Sequence, residues 1–308
     1  WIDWQQGEKS EMDGLDPLWS LNHYHYFDIA KNHSNPLILS RYAGIGSHRY
    51  PLGFSDDTCM TWRTLRFLPY FTFTASNAGY TWWSHDIGGH DRGETNGELF
   101  VRHIQFGVFS PINRLHSTNY DSMTKEPWFY KNGCGEIIAD WLRFRHSMIP
   151  FLYSRSMKTH REGVALIEPL YYEWNENGAY KEKLGYLFGG RLLVYPIVEP
   201  KRKSGYAKVK AWIPEGKWTY IFTGDEYTIA KGGEYRTLQR TLESIPVLAG
   251  QGAIVPFSMD ESNSIANPKR IEIRIFGGNG EFDLFEDNRE YGNDDEFTTK
   301  FVAEQAAN

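Results

Sequence analysis

The sequence predicts an α/β first half followed by an all-β second half. Two observations carry this. Up to about residue 198, short apolar runs alternate with stretches of helical spacing, the pattern of parallel strands joined by helical crossovers. Beyond about residue 200 the helical spacing stops, and β-type runs follow one another between turn residues, as in an antiparallel, sandwich-like region.

The first predicted element is a helix over residues 17–30, with Asp16 as N-cap and Pro17 at the first helical position. Residues 36–41, with the run Leu37-Ile38-Leu39, read as a buried strand. A helix follows over 58–75, then strands over 79–83 and 107–110. Residues 136–159 carry Ile137, Ile138, Trp141, Leu142, Met148, Ile149 and Leu152 near i, i+4 intervals, a long helix that Pro150 kinks. Residues 164–167 read as a further buried strand of the first half. Such a sheet is either doubly wound or closed into a barrel. In the second half, residues 209–213, 218–222 and 271–276 are β-type runs. Pro214-Glu215-Gly216, Thr223-Gly224-Asp225 and Gly277-Gly278-Asn279-Gly280 supply the turns between them. The polar stretch 258–269 reads as a linker that divides this half again.

Composition narrows the function. With 33 basic and 39 acidic residues the net charge is −6, the wrong sign for a protein that neutralises nucleic-acid phosphates. No apolar run is long enough for a membrane-spanning helix. Cys59 and Cys134 stand far apart without a CxxC partner, which argues against a disulfide scaffold or a cysteine zinc site and favours a cytoplasmic setting. The chain opens on Trp1-Ile2-Asp3-Trp4, the texture of a strand and not of a leader. Such a start is expected of a segment of a longer polypeptide.

Polar residues gather where the apolar runs of the first half end: Asp3, Arg41, His85-Asp86, and Asn113, Arg114 and His116. In a barrel these ends share one face, where active sites are built. Phe54-Ser55-Asp56-Asp57-Thr58 adds two acids before a helix. An N-cap accounts for one of them at about 1 kcal/mol and hardly needs both. The alternative pairs one with Asp3 as two carboxylates around a sugar. A weaker alternative makes His85-Asp86 with His90-Asp91, or His23 with His25, ligands to a divalent ion, although the spacing matches no zinc motif. The 16% aromatic content fits stacking on sugar faces, but aromatic rings are equally ordinary core material.

In order along the chain, four motifs resemble glycoside hydrolase family 31, the retaining α-glucosidases and α-xylosidases. Trp1-Ile2-Asp3 resembles the nucleophile strand, and Phe54-Ser55-Asp56-Asp57-Thr58 the acid/base loop, which implies Asp3 as nucleophile and Asp57 as acid/base. Trp83-Ser84-His85-Asp86-Ile87-Gly88-Gly89 resembles the segment whose Asp binds the sugar. Arg41 and His116 match the sugar-binding Arg and His, and Trp1, Trp83 and His90 join them as candidate substrate-binding residues. The segments 212–218 and 282–287 resemble the proximal and distal C-terminal β-domains.

The resemblance implies strands four to eight of a (β/α)8 TIM barrel over residues 1–198, a proximal β-domain over 199–260 and the start of a distal one over 261–308. It also shows departures. Trp4-Gln5-Gln6 replaces the M-N-E that follows the nucleophile, Asp56 replaces a glycine, and His90 stands where many members carry an aromatic ring.

The implied activity is exo-acting hydrolysis of a terminal α-linked sugar by double displacement on an oligosaccharide or glycoside, without cofactor or metal. The resemblance implies an α-glucosidase first; α-xylosidase, α-galactosidase and α-N-acetylgalactosaminidase are the alternatives within the family. A reading of another class makes this piece a carbohydrate-binding fragment, inactive without the N-terminal part of the same polypeptide.

Overall fold

The computed structural model describes residues 1–3, 7, 9–33, 35–50, 52–55, 57–288 and 296–305. Trp4, Gln5, Gln6 and Asp56, singled out above, lie outside the described residues.

Helix α1 (Pro17–Ala30) starts as expected, with Asp16 accepting a hydrogen bond from Leu18 N at 2.8 Å. It leads into β1 (Leu39–Arg41), which pairs in parallel with β2 (Leu52–Phe54). The short strand β3 (Cys59–Met60) and helix α2 (Trp62–Ala75) follow. The next strand, β4 (Trp83–Ser84), lies parallel to β2, and β5 (Asp91–Gly93) pairs with β3. Parallel bridges from Ile2 to Ser40 and from Ser84 to Ile112 extend the sheet on both sides. The result is an arc of five parallel segments whose C-terminal ends carry the polar residues noted above.

Helix α3 (Gly97–Val108) corrects one expectation, because residues 107 and 108 end this helix instead of opening a strand. All of its residues from Leu99 to Val108 are buried. A short apolar run such as Val108-Phe109 fits a strand as well as a helix end, so periodicity alone does not separate the two here. The parallel segment begins just beyond, at Ile112. The expected single helix over 136–159 is two, α4 (Cys134–Ser147) and α5 (Ile149–Glu162), with Pro150 in the first turn of the second. Pro150 lacks the N–H that a continuous helix would use, so the chain restarts there.

The expected strand over 164–167 is displaced to β6 (Ile167–Glu168) and runs antiparallel to its neighbour β7 (Tyr186–Phe188). Helix α6 (Asn177–Lys181) lies between them. Strand β8 (Leu192–Val194) closes a tight hairpin with β7 through Gly189 and Gly190. After β9 (Ala207–Ile213) come β10 (Gly216–Tyr220), β11 (Glu226–Ile229), β12 (Glu234–Arg240) and β13 (Val247–Gly250). One six-stranded sheet has the order β11-β10-β13-β8-β7-β6, and β9 pairs with β12 across it. Leu187, Leu193, Trp218 and Leu248 from the first sheet meet Val209, Ala211, Ile213 and Leu238 from the second in one apolar layer. This sandwich draws three strands from before residue 198.

Strand β14 (Ala253–Ser258) pairs over six residues with β15 (Ile271–Phe276), so residues 259–270 connect two strands of one hairpin. The last hairpin joins β16 (Gly280–Asp287) to β17 (Glu296–Ala303) and packs Phe282 on Phe151 of α5, ring centroids 5.9 Å apart. The main core is continuous from Leu65 of α2 and Phe100 of α3 through Trp141 and Phe151 to Val247 and Phe282. Arg102 of α3, buried, donates to the carbonyls of Ser244 at 2.8 Å and Thr241 at 2.9 Å, fastening the barrel side to the β side.

Candidate active site

Side chains alternate across a strand, so pairing register decides which ones share a face. Ile2, Ser40, Gly53 and Trp83 are level with one another, and so are Arg41, Phe54, Ser84 and Ile112. The first row faces the helices: Ser40 Oγ accepts from Asn22 Nδ2 of α1 at 3.0 Å, and Trp83 packs edge-on against Phe71 of α2. The second row faces the opposite, inner side. Continuing the alternation puts Trp1, Asp3, Asp86, Arg114 and His116 on that inner face, while Ser55 and His85 turn outward. His85 accordingly sits buried between Thr72 Oγ1 at 2.8 Å and Ser55 Oγ at 2.9 Å.

The inner face is one charged cluster. Arg41 Nε donates to Asp3 Oδ1, and Arg41 Nη2 lies 4.0 Å from Asp57 Oδ1, so one guanidinium touches both acids. His90 bridges two carboxylates, with Nδ1 3.1 Å from Asp86 Oδ2 and Nε2 3.7 Å from Asp57 Oδ1. Arg114 Nη2 donates to Asp86 Oδ1, while its Nε donates to Ser84 Oγ at 3.1 Å. Aromatic rings floor the site. Phe54 lies 5.1 Å below the Arg114 guanidinium, and Trp1 packs edge-on against His116 at 4.7 Å.

The turn from Asp86 to His90 brings its two end residues to the same side. It needs Gly88 and Gly89, whose φ of 89° and 78° lie in the left-handed region that an L side chain resists. Lys125 Nζ clamps the turn by donating to Gly88 O at 2.9 Å and Gly89 O at 2.7 Å. From below, Gly88 N donates to Nδ1 of the buried His103 at 3.2 Å.

Burial raises the Asp86 pKa above the usual carboxylate value, opposed by the Arg114 charge. Burial lowers His116, helped by Arg114 and His90, so its imidazole is neutral at neutral pH. Lys125 is brought down to about 8, again by burial. The arrangement offers two carboxylates on one guanidinium, a third carboxylate fixed by a second guanidinium, and donors suited to sugar hydroxyls.

The structure brings together Trp1, Asp3, Arg41, Asp57, Asp86, His90 and His116. It does not bring Trp83, whose ring is buried against α2 with Tyr80 and Phe71 because its strand position faces outward. Asp57 does not cap α2: Thr61 does, accepting from Thr64 N at 3.1 Å. Of the histidine metal pairings, Asp86 and His90 do meet, at 3.1 Å, but without His85, which turns away to Thr72 and Ser55, and His23 pairs with the Tyr50 hydroxyl at 2.6 Å. Arg114, expected only as one of the polar residues at a strand end, and Phe54, expected only as part of the acid/base loop, both join the site; Ile112, Arg114 and His116 alternate and so share a face.

Comparison with known proteins agrees with this fold. Residues 7–155 match the family model of the glycosyl hydrolases family 31 TIM-barrel domain, and residues 163–255 that of the family 31 C-terminal domain. The α-xylosidase of Emericella nidulans is 27% identical over 276 residues, 86% of this chain and 35% of its own. Alpha-glucosidase 2 of Bacillus thermoamyloliquefaciens is 26% identical over 250 residues, 81% of this chain and 31% of its own. The chain thus spans about a third of the length of the curated relatives it matches. A Flavobacterium johnsoniae family 31 dextranase solved with glucose shares the fold, with a TM-score of 0.83, 23% identity, and coverage of 99% of this chain and 41% of its own. The architecture is therefore the C-terminal part of a (β/α)8 barrel followed by β-sandwich structure.

Proposed function

Because the chain belongs to glycoside hydrolase family 31, we propose that its inner-face cluster carries out retaining hydrolysis of a terminal α-linked sugar, an α-glucosidase reaction, in the polypeptide that completes the barrel. The parallel arc supplies five of the eight strands that a closed barrel needs. We place the division between barrel and β-sandwich at about residue 163, where helix α5 ends and the chain enters the antiparallel sheet. The free thiols of Cys59 and Cys134 favour a cytoplasmic setting, and no described helix is long and apolar enough to cross a membrane.

In the proposed reaction an Asp3 carboxylate oxygen attacks the anomeric carbon as the glycosidic C–O bond breaks. Asp57 gives its proton to the departing oxygen, and a glycosyl ester of Asp3 remains. Asp57, now a carboxylate, takes a proton from water. The water oxygen attacks the same carbon from the face the leaving group left, freeing Asp3 and restoring the anomeric configuration. Asp86, Arg41 and His116 hold the ring hydroxyls, and Arg114 keeps Asp86 aimed inward. The observation that carries the reading is the contact of a single guanidinium, Arg41, with both Asp3 and Asp57.

The test is turnover of a panel of aryl α-glycosides by the full-length enzyme and its Asp3→Asn variant. Wild type should prefer the α-glucoside and release the α-anomer first, with Asp3→Asn at least about a thousandfold slower, as losing a covalent nucleophile implies. Preference for the α-xyloside would favour the α-xylosidase reading that the Emericella relative supports. Undiminished turnover by Asp3→Asn would overturn the assignment.

A further inference from the structure

Asp86, His90 and His116 each present one ligand atom, and these three atoms lie within 4.8 Å of one another. We propose that they form a binding site for a divalent late first-row transition ion of the zinc class, an ion that occupies the sugar's place and so inhibits. The ligand set uses no step of the hydrolytic reading, while the inhibition rests on that reading's position for the sugar.

The geometry is that of a nearly assembled ligand set. Zinc–nitrogen bonds of about 2.0–2.1 Å place neighbouring tetrahedral ligands about 3.3 Å apart. His90 Nδ1 and Asp86 Oδ2 are already 3.1 Å apart, and the His90 Nδ1 is buried without a well-aligned hydrogen bond of its own. His116 completes the set by a small rotation of a partly exposed ring whose centroid is 5.1 Å from that of His90.

One outer partner is in place and a second stands near. A metal-bound histidine usually gives its second ring nitrogen to a carboxylate, which fixes the ring. His90 Nε2 faces Asp57 Oδ1 at 3.7 Å, beyond hydrogen-bond length but on the side where that partner belongs. The second oxygen of Asp86 is held by Arg114, leaving Oδ2 for the ion. Imidazole nitrogen with carboxylate oxygen selects zinc, copper, nickel or cobalt over magnesium or calcium. Three protein ligands leave the fourth position open to water. The Arg114 and Lys125 charges near Asp86 oppose the ion and hold the affinity below that of a buried structural site. His90 is the deciding residue: it supplies the imidazole nitrogen nearest Asp86 Oδ2, and a phenyl ring in its place could not ligate.

The experiment titrates the full-length protein with Co²⁺, reading the visible absorption of the tetrahedral ion, and with Zn²⁺ by calorimetry. One saturable ion per chain is expected. His90→Phe and His116→Ala, each checked for a wild-type circular dichroism spectrum, should weaken binding by about 100-fold or more, because losing even an outer partner costs about 10–100-fold. Asp57→Asn should weaken it by about tenfold through the His90 ring. Absence of saturable binding, or binding that His90→Phe and His116→Ala leave unchanged, overturns the proposal. Added glucose separates the two readings. Displacement of the ion places it where the hydrolytic reading puts the sugar, whereas binding that glucose does not disturb keeps the metal site and counts against that sugar position.

Discussion

Asp86 is buried with its charge answered chiefly by Arg114, beside His90; Arg114 itself lies over the Phe54 and Trp1 rings. Removing one partner of such a pair leaves an uncompensated charge in a poor solvent, at about 3–5 kcal/mol. Arg114→Met should therefore lower the free energy of unfolding by about that amount. Arg114→Met with Asp86→Asn should recover most of it, since no bare carboxylate then remains. Urea unfolding of the two variants checks this, and a double variant no better than the single would refute the pairing. Arg114 and Phe54 lie in segments that the sequence marks, but their roles in the site are known by their partners and not by their spacing. Polar residues were visible at 113–116, but which of them face inward depends on where the strand begins. Reading a strand over 107–110 put its start too early, so the alternation Ile112, Arg114, His116 was lost.

At the scale of elements, α3 acts on the site from outside it, through the hydrogen bond from Gly88 N to His103. Burial, with a smaller push from the Lys125 charge, holds the folded-state pKa of His103 at about 3, against 6.5 when unfolded. The unfolded state therefore takes up a proton that the folded state refuses. The resulting stability is complete above 6.5 and is lost as the pH falls from there toward about 3. Between pH 7 and pH 5 it amounts to about 2 kcal/mol. Urea unfolding at the two pH values should show this fall in the wild-type protein, and a fall smaller by about 2 kcal/mol in His103→Gln. Equal falls would mean that His103 titrates in the folded protein. The elements most legible in the sequence were those with local signals: the Asp16 cap and Pro17 start of α1, and the regular runs of β9 and β15. Strands β7 and β8 passed unread, because an apolar run of three residues either side of a Gly-Gly turn has no period to measure. Their antiparallel pairing is a tertiary outcome, and it carries the sandwich back across residue 198.

For the molecule as a whole, the site is assembled from residues that no local pattern joins. Asp3 and Arg41 are 38 positions apart and meet only through the parallel pairing of Ile2 with Ser40. Asp57 and His90 meet because the Gly88-Gly89 turn folds back toward the end of β2. Composition and periodicity reached the α/β-then-β order and the strand ends; the assignment of roles came from four motifs in sequence order. The central claim is that Asp3 is the nucleophile of a retaining glycosidase. Its most direct measurement reacts the full-length enzyme with a 5-fluoro-α-glucosyl fluoride, which loses fluoride on attack and leaves a slowly hydrolysed glycosyl ester, and maps the adduct by peptide mass spectrometry. The adduct is predicted on the carboxylate of Asp3 and absent from Asp3→Asn. An adduct on Asp57 or Asp86 would contradict the assignment, as would ready turnover of an α-glucoside with inversion of the anomeric centre.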